Sequence, residues 1–162
     1  MSDLNAESEA TDFDFLVGRW KVHHKRLKGR LVNCTEWEEF AGSSELRTLM
    51  DGRANVDDNV LELPAGHYRA VTLRAFDPKT RQWAIWWLDG RNPHQIDVPM
   101  VGGYHRGLGT FYADEIIDGK PIRVRFLWSD ITATSCRWQQ AFSADGGKTW
   151  ETNWIMDFTR MS

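Results

Sequence analysis

Phe13-Asp14-Phe15-Leu16-Val17-Gly18-Arg19-Trp20-Lys21-Val22-His23-His24 is the stretch that decides how this chain folds. Aromatic residues and a leucine lead through Gly18 and Trp20 into a run of alternating character. Gly18 permits a backbone conformation or a close approach that a Cβ would forbid. Trp20 is large enough to fill the floor of a barrel, provided its indole N–H finds an acceptor. Asp12 or Asp14 is placed to cap a short helical turn over Phe15 and Leu16. The stretch therefore reads as a plug closing one end of a β-barrel, with Gly18 and Trp20 as packing residues.

Outward from the plug, period-2 patterns separated by turn residues dominate, and no long helical period appears. The expected strands are 19–27, 35–40, 45–50, 56–63, 67–76, 82–88, 108–117, 121–129, 132–142 and 150–160. Asp118-Gly119 is a strong two-residue hairpin signal. Asp77-Pro78-Lys79-Thr80-Arg81 places Pro where its fixed φ suits a turn. The longest irregular piece, 89–106, is expected to be a loop that gates the barrel mouth, with Pro99 and Tyr104 packing over the opening. Ser143-x-Asp145-x-Gly147-x-Thr149-Trp150 resembles the Asp-box of sialidases; occurring once, it reads as a hairpin turn rather than as glycoside chemistry. Roughly ten strands joined by short hairpins close most economically into an all-β, antiparallel, up-and-down β-barrel, which removes exposed edges.

The plug also resembles the calycin superfamily of lipocalins, fatty-acid-binding proteins and nitrobindin-like proteins. In that superfamily a Gly-x-Trp opens the first strand and an Arg from the last strand covers the Trp; Arg160, in Trp154-Ile155-Met156-Asp157-Phe158-Thr159-Arg160, is the matching residue. Phe13 to Trp20 is most similar to a bacterial lipocalin-like family of unassigned function. The resemblance implies a calycin/lipocalin-like barrel holding a small hydrophobic molecule. The nitrobindin-like branch binds haem through a His near the C-terminal strands. No His follows His105 here, so haem by that route is not expected, His24 and His67 are not the family arrangement, and no cofactor is expected.

Composition narrows the function further. The chain has 162 residues, enough for one domain over 12–162, preceded by an acidic stretch, 1–11, expected to be a disordered tail. Asp3, Glu7, Glu9, Asp12 and Asp14 precede Phe15 with no Lys or Arg among them, so the body is near neutral although the net charge is −3. A near-neutral body gives no electrostatic case for nucleic acid or an anionic membrane. There is no leader pattern and no apolar run of the roughly 20 residues that a membrane helix needs. Cys34 and Cys136 lack metal-type spacing and read as free thiols, so a cytoplasmic location is expected. His94, His105, Asp89 and Asp97 match no metal pattern, and no metal is expected. Dinucleotide, P-loop, nucleophile-elbow and zinc-protease motifs are absent from the sequence.

Nine Trp are more than a core of this size needs, so several are expected to line a cavity or an interface. If Trp20 points inward, alternation carries His24 and Arg26 with it, and Arg160 carries Met156 and Trp154. The inward rows then combine His24, Arg26, Trp37, Glu39, Trp86, Trp128, Trp138, Gln140, Trp154 and Met156 into an aromatic-lined pocket with a few polar groups, the usual composition of a small-molecule site. The inward Arg and Glu pair either with each other or with a ligand. The first functional reading is a lipocalin-like binder of a small hydrophobic or aromatic molecule. The alternative is a cofactor-independent isomerase, cyclase or lyase, with His24 as acid or base, Arg26 stabilising an oxyanion and Glu39 orienting one of them. Residues 82–88 are apolar on both faces, Ala84, Trp86 and Leu88 against Trp83, Ile85 and Trp87; the outer face is expected to be covered by the tail, the long loop or a second subunit, the last making a homodimer.

Overall fold

The structure, a computed structural model, describes residues 8–162. Ten antiparallel strands form a closed barrel: β1 (Gly18–Leu27), β2 (Trp37–Leu49), β3 (Ala54–Leu63), β4 (Gly66–Asp77), β5 (Gln82–Asp89), β6 (Met100–His105), β7 (Leu108–Ile117), β8 (Lys120–Ser129), β9 (Ser135–Ser143) and β10 (Glu151–Arg160). Each strand pairs with the next, and β1 pairs with β10 to close the cylinder. A 3₁₀ turn, Asp14–Leu16, precedes β1. No helix among the described residues is long and apolar enough to cross a membrane.

The plug is built as its residues suggest except at the cap: Phe13 is the N-cap of the 3₁₀ turn and no side chain caps it, while Asp12 Oδ2 accepts the Glu9 amide at 2.6 Å. Phe13, Leu16 and Trp20 are essentially inaccessible to solvent. The Trp20 indole N–H donates to the Leu16 carbonyl at 2.9 Å. The Arg160 guanidinium lies 4.2 Å from the centre of the Trp20 ring. It donates to the carbonyls of Phe15 at 2.6 Å, Val17 at 2.7 Å and Ala133 at 2.9 Å, so one side chain ties both chain ends to the floor. Gly18 is required: its φ is +120°, and a Cβ there would lie 2.6 Å from the Ser162 carbonyl oxygen. Phe13 extends the floor under the far wall, with edge contacts to Trp83, Tyr104 and Trp128 at 4.9, 5.1 and 6.0 Å.

Residues 1–7 lie outside the described part of the expected tail. Within residues 8–11, Ser8 and Glu9 contact the wall. Ser8 Oγ accepts from the Tyr104 amide at 3.0 Å, the Glu9 carbonyl accepts from the Trp83 indole at 3.1 Å, and Arg81 pairs with Glu9 at 2.6 Å. Local composition is acidic, but Arg81 and the Trp83 indole supply partners that only the closed barrel brings near.

Two strand boundaries differ from the sequence reading, and their effects on the count cancel. Residues 35–40 and 45–50 are one strand, β2, running through Ala41-Gly42 without a turn. Gly42 is there for close packing: a Cβ would lie 2.5 Å from the Val60 carbonyl oxygen and 2.8 Å from His24 Nε2. Conversely, the expected loop 89–106 contains β6. Its Gly102 and Gly103 lack side chains because Thr110 and Ser8 occupy that space, and Arg106-Gly107, at φ 52° and 78°, makes the tight turn into β7. Tyr104 thus packs at the floor against Phe13 rather than over the mouth.

The Ser143–Trp150 segment is the turn its spacing suggests. Asp145 Oδ1 accepts the Ser143 hydroxyl at 2.7 Å and the Thr149 amide at 2.9 Å, and the Trp150 indole donates to the Gly147 carbonyl at 3.1 Å. The bonds to Asp145, led by that from the Thr149 hydroxyl at 2.6 Å, hold its carboxyl well below the usual carboxylate range. Cys34 and Cys136 are both free. Trp86 faces outward beside Leu73 across the β4–β5 pair, as does Leu88 beside Val71, so the outer wall carries an apolar strip.

Candidate functional site

The end of the barrel opposite the plug opens into a cavity of about 290 Å³. Volumes of ligand pockets run from roughly 300 to 1,000 Å³, so this one suits a small guest of a few rings. Its aromatic wall is Trp87 from β5, Phe126 and Trp128 from β8, Trp138 from β9 and Trp154 from β10. Trp138 and Trp154 meet edge to face at 5.3 Å, and Trp87 meets Trp154 the same way at 6.0 Å. Rings packed against rings hold their planes fixed and present faces and edges to the space. The Trp128 indole nitrogen is buried without a hydrogen-bond partner among the described residues. A buried donor left unpaired costs about 1–3 kcal/mol.

A polar cluster on β3 and β4 forms the opposite wall. Arg74 and Asp57 make an ion pair at 2.8 Å, with both side chains only 4% exposed. Arg74 also donates to Asn55 Oδ1 at 3.0 Å, and Asn59 donates to Asp57 Oδ1 at 2.5 Å and to the Thr72 hydroxyl at 3.3 Å. The Arg74 guanidinium lies 5.1 Å from the Phe13 ring centre and 5.6 Å from that of Trp128, joining this wall to the floor. Sequence reasoning missed the pair. On β4 the inward residues are Tyr68, Ala70, Thr72 and Arg74, while Val71 and Leu73 face out, so apolar alternation points to the wrong face. The one usable signal was cross-strand: an Asp and an Arg in neighbouring strands at positions that can face each other.

The structure places the expected pocket residues in three groups. Arg26, Trp128, Trp138, Gln140, Trp154 and Met156 line the cavity. Trp37, Glu39 and Trp86 do not, which corrects the reading of their strands. Arg26 stands opposite Glu38 and His24 opposite Phe40, and residues directly opposite share a face. Glu38 is therefore the inward carboxylate, bonded to Arg26 at 3.2 Å, while Glu39 meets His23 outside at 3.0 Å and Trp37 lies under Lys25. Trp87 takes the inward place expected of Trp86.

His24 forms the third group, buried but absent from the cavity wall. Its Nδ1 accepts the Trp154 indole N–H at 3.1 Å, and Phe40 stacks on its ring at 4.5 Å. Burial first, then the positive charge of Arg26, pushes its pKa from 6.5 down to about 3. The ring is neutral, and its basic nitrogen is already occupied. That is the environment of a structural acceptor for Trp154, not of a proton-transfer group poised near neutrality. Glu39, outside the barrel, cannot orient His24 or Arg26 across the sheet.

A pH effect follows. Below its ordinary 6.5 the unfolded imidazole takes up a proton that the folded one refuses until about pH 3. Stability should therefore fall as pH drops through that window, by at most about 1.4 kcal/mol per unit. His24→Asn retains an acceptor for Trp154 and removes the titration. Urea midpoints measured between about pH 7 and pH 5 should show a clearly shallower fall for the variant. An unchanged slope would show that another group carries it.

Asp97 and Glu115 also reach the cavity, and their carboxyls are raised, chiefly by burial. Residues 90–99 follow the rim: the Asp97 amide donates to the Trp87 carbonyl at 3.0 Å, and Ile96 bridges to Leu88. Among the described residues no three His, Cys, Asp or Glu side chains converge as a metal-holding group.

No protein-family profile matches the chain, and no curated protein matches it by sequence. Among solved structures it is similar to the S-type phycobiliprotein lyase CPES from Guillardia theta, with a TM-score of 0.61 over 96% of this chain and 93% of that one, at 12% identity. At that identity the likeness is one of fold. Together with the plug, it fits a calycin-like barrel.

Proposed function

We propose that this barrel binds a small hydrophobic or aromatic molecule in the cavity opposite the plug, as its resemblance to the bacterial lipocalin-like family implies. The observation that carries the reading is a space of about 290 Å³ walled by Trp87, Trp128, Trp138 and Trp154 inside a closed barrel. A solid core would place aliphatic side chains there; planar rings at fixed angles stack on planar guests. The neighbour of known structure is described as a lyase, and the catalytic alternative assigned acid–base work to His24. Neutral and already bonded, His24 favours binding over proton transfer.

Titration with anthracenemethanol tests the reading. Four indoles lining the site should transfer excitation to the bound anthracene, giving saturable quenching of tryptophan emission. Met156→Trp, which fills the space beside Trp138, should weaken binding about tenfold or more without changing the far-ultraviolet circular dichroism. Native mass spectrometry of the protein from its own host should show a co-purifying small molecule. Linear, non-saturable quenching together with an empty protein would end the proposal.

A further inference from the structure

The inner cavity continues at the rim into a wider recess of about 580 Å³. Arg26, Arg30, Arg91, Ile117 and Phe142 line both spaces, so the two share a gate. Their charges differ. The inner wall is balanced, four arginines against Asp57, Asp89, Asp97 and Glu115. The recess carries five cations, the three gate arginines with Lys28 and Lys120, against two carboxylates, Glu38 and Asp118. This excess sits on a chain whose net charge is −3.

Two gate arginines are held in place. Arg26 bonds Glu38 and donates to the Tyr68 hydroxyl at 3.3 Å. Arg91 pairs with Asp89 at 2.7 Å and lies over the Tyr68 ring at 3.6 Å. Arg30 is arranged differently. Among the described residues no carboxylate forms an ion pair with it, and its guanidinium rests 5.7 Å from the Phe142 ring centre. The nearby Glu151 is engaged with the Leu31 amide, at 2.9 Å, which pins the loop that carries Arg30. Arg30 is exposed at the rim; partial desolvation and then the charge of Arg26 lower its proton affinity, and Tyr68 and Glu151 oppose them. A planar guanidinium with free N–H groups matches a carboxylate in shape and charge.

We propose that the guest is amphipathic, its aromatic body in the inner cavity and a carboxylate at the gate, bound by Arg30 between Arg26 and Arg91. This rests on the reading of the inner cavity as a binding site.

The test compares anthracenecarboxylate with anthracenemethanol, nearly equal in size and different in charge, on the full chain. The carboxylate should bind about tenfold more tightly at low salt, an advantage that shrinks in concentrated salt as the charges are screened. Arg30→Gln should lower carboxylate affinity about tenfold and leave the alcohol within about twofold, with Arg30→Lys retaining part of the preference. Equal affinity for the two probes, or an equal loss of both in Arg30→Gln, overturns the carboxylate gate and leaves the cavity standing. Failure of both probes to bind removes the cavity reading, and this proposal with it.

Discussion

Arg74→Ala should destabilise the barrel by about 3–5 kcal/mol, because it leaves Asp57 charged, buried and without its cation. Both side chains of the pair are 4% exposed, so little water stands beside Asp57 to replace the lost partner. Arg74 also bonds Asn55, and Asp57 takes a bond from Asn59, so the deletion frees several groups at once. The stacking on Phe13 and Trp128 goes too, loosening the contact between the polar wall and the floor. The cost comes from stranding a charge rather than from losing a favourable bond. Arg74→Met with Asp57→Leu should therefore recover most of the loss, since replacing a buried pair with apolar residues of similar volume is often neutral. Urea unfolding at neutral pH gives both numbers as shifts in midpoint at constant slope. A loss below about 1 kcal/mol for Arg74→Ala would mean that water screens the pair and the wall is not dry.

Trp20→Ala should cost a similar amount, about 3–5 kcal/mol, the usual result of emptying a large aromatic site in a packed core. Trp20 has no solvent exposure, and its ring touches Phe158 edge to face at 6.1 Å. The deletion takes away the surface on which Arg160 lies, and with it the reason for Arg160 to gather the carbonyls of Phe15, Val17 and Ala133. The closure between β1 and β10 should open first, so amide exchange should accelerate most at residues 19–22 and 157–160. Trp20→Phe keeps most of the area but loses the bond to the Leu16 carbonyl, and should cost less than half as much. Equal exchange throughout the barrel in Trp20→Ala would show that the floor is not a separate closing device. Against a total stability of roughly 5–15 kcal/mol, either alanine variant brings the fold close to its limit.

The readings that held rest on local chemistry. Alternation, Asp118-Gly119 and the Ser143–Trp150 turn each demand a conformation that a few adjacent residues specify; Asp118 and Gly119 have φ of 53° and 78°, as a two-residue hairpin turn requires. The readings that failed depended on a neighbour. Gly42 signals a turn by type, yet it sits mid-strand because His24 and Val60 leave no room for a side chain. Gly102 and Gly103 made β6 look like loop for the same reason. The pattern of 35–40 alone points Trp37 and Glu39 inward, and it cannot choose a face when charged and aromatic residues alternate on both.

The amino-acid sequence by itself determined the class of fold and most of its hairpins, because turns and alternation act over short range; the cover of Trp20 by Arg160 followed only from the resemblance to the calycin superfamily. Only the tertiary structure decided which residues face the hollow. Facing depends on register, and register is set by pairs such as Arg26 with Glu38 and Leu73 with Trp86, whose members lie on different strands. The same holds for the Asp57–Arg74 pair and the three-arginine gate, since their charges become neighbours only after the sheet has curled and closed.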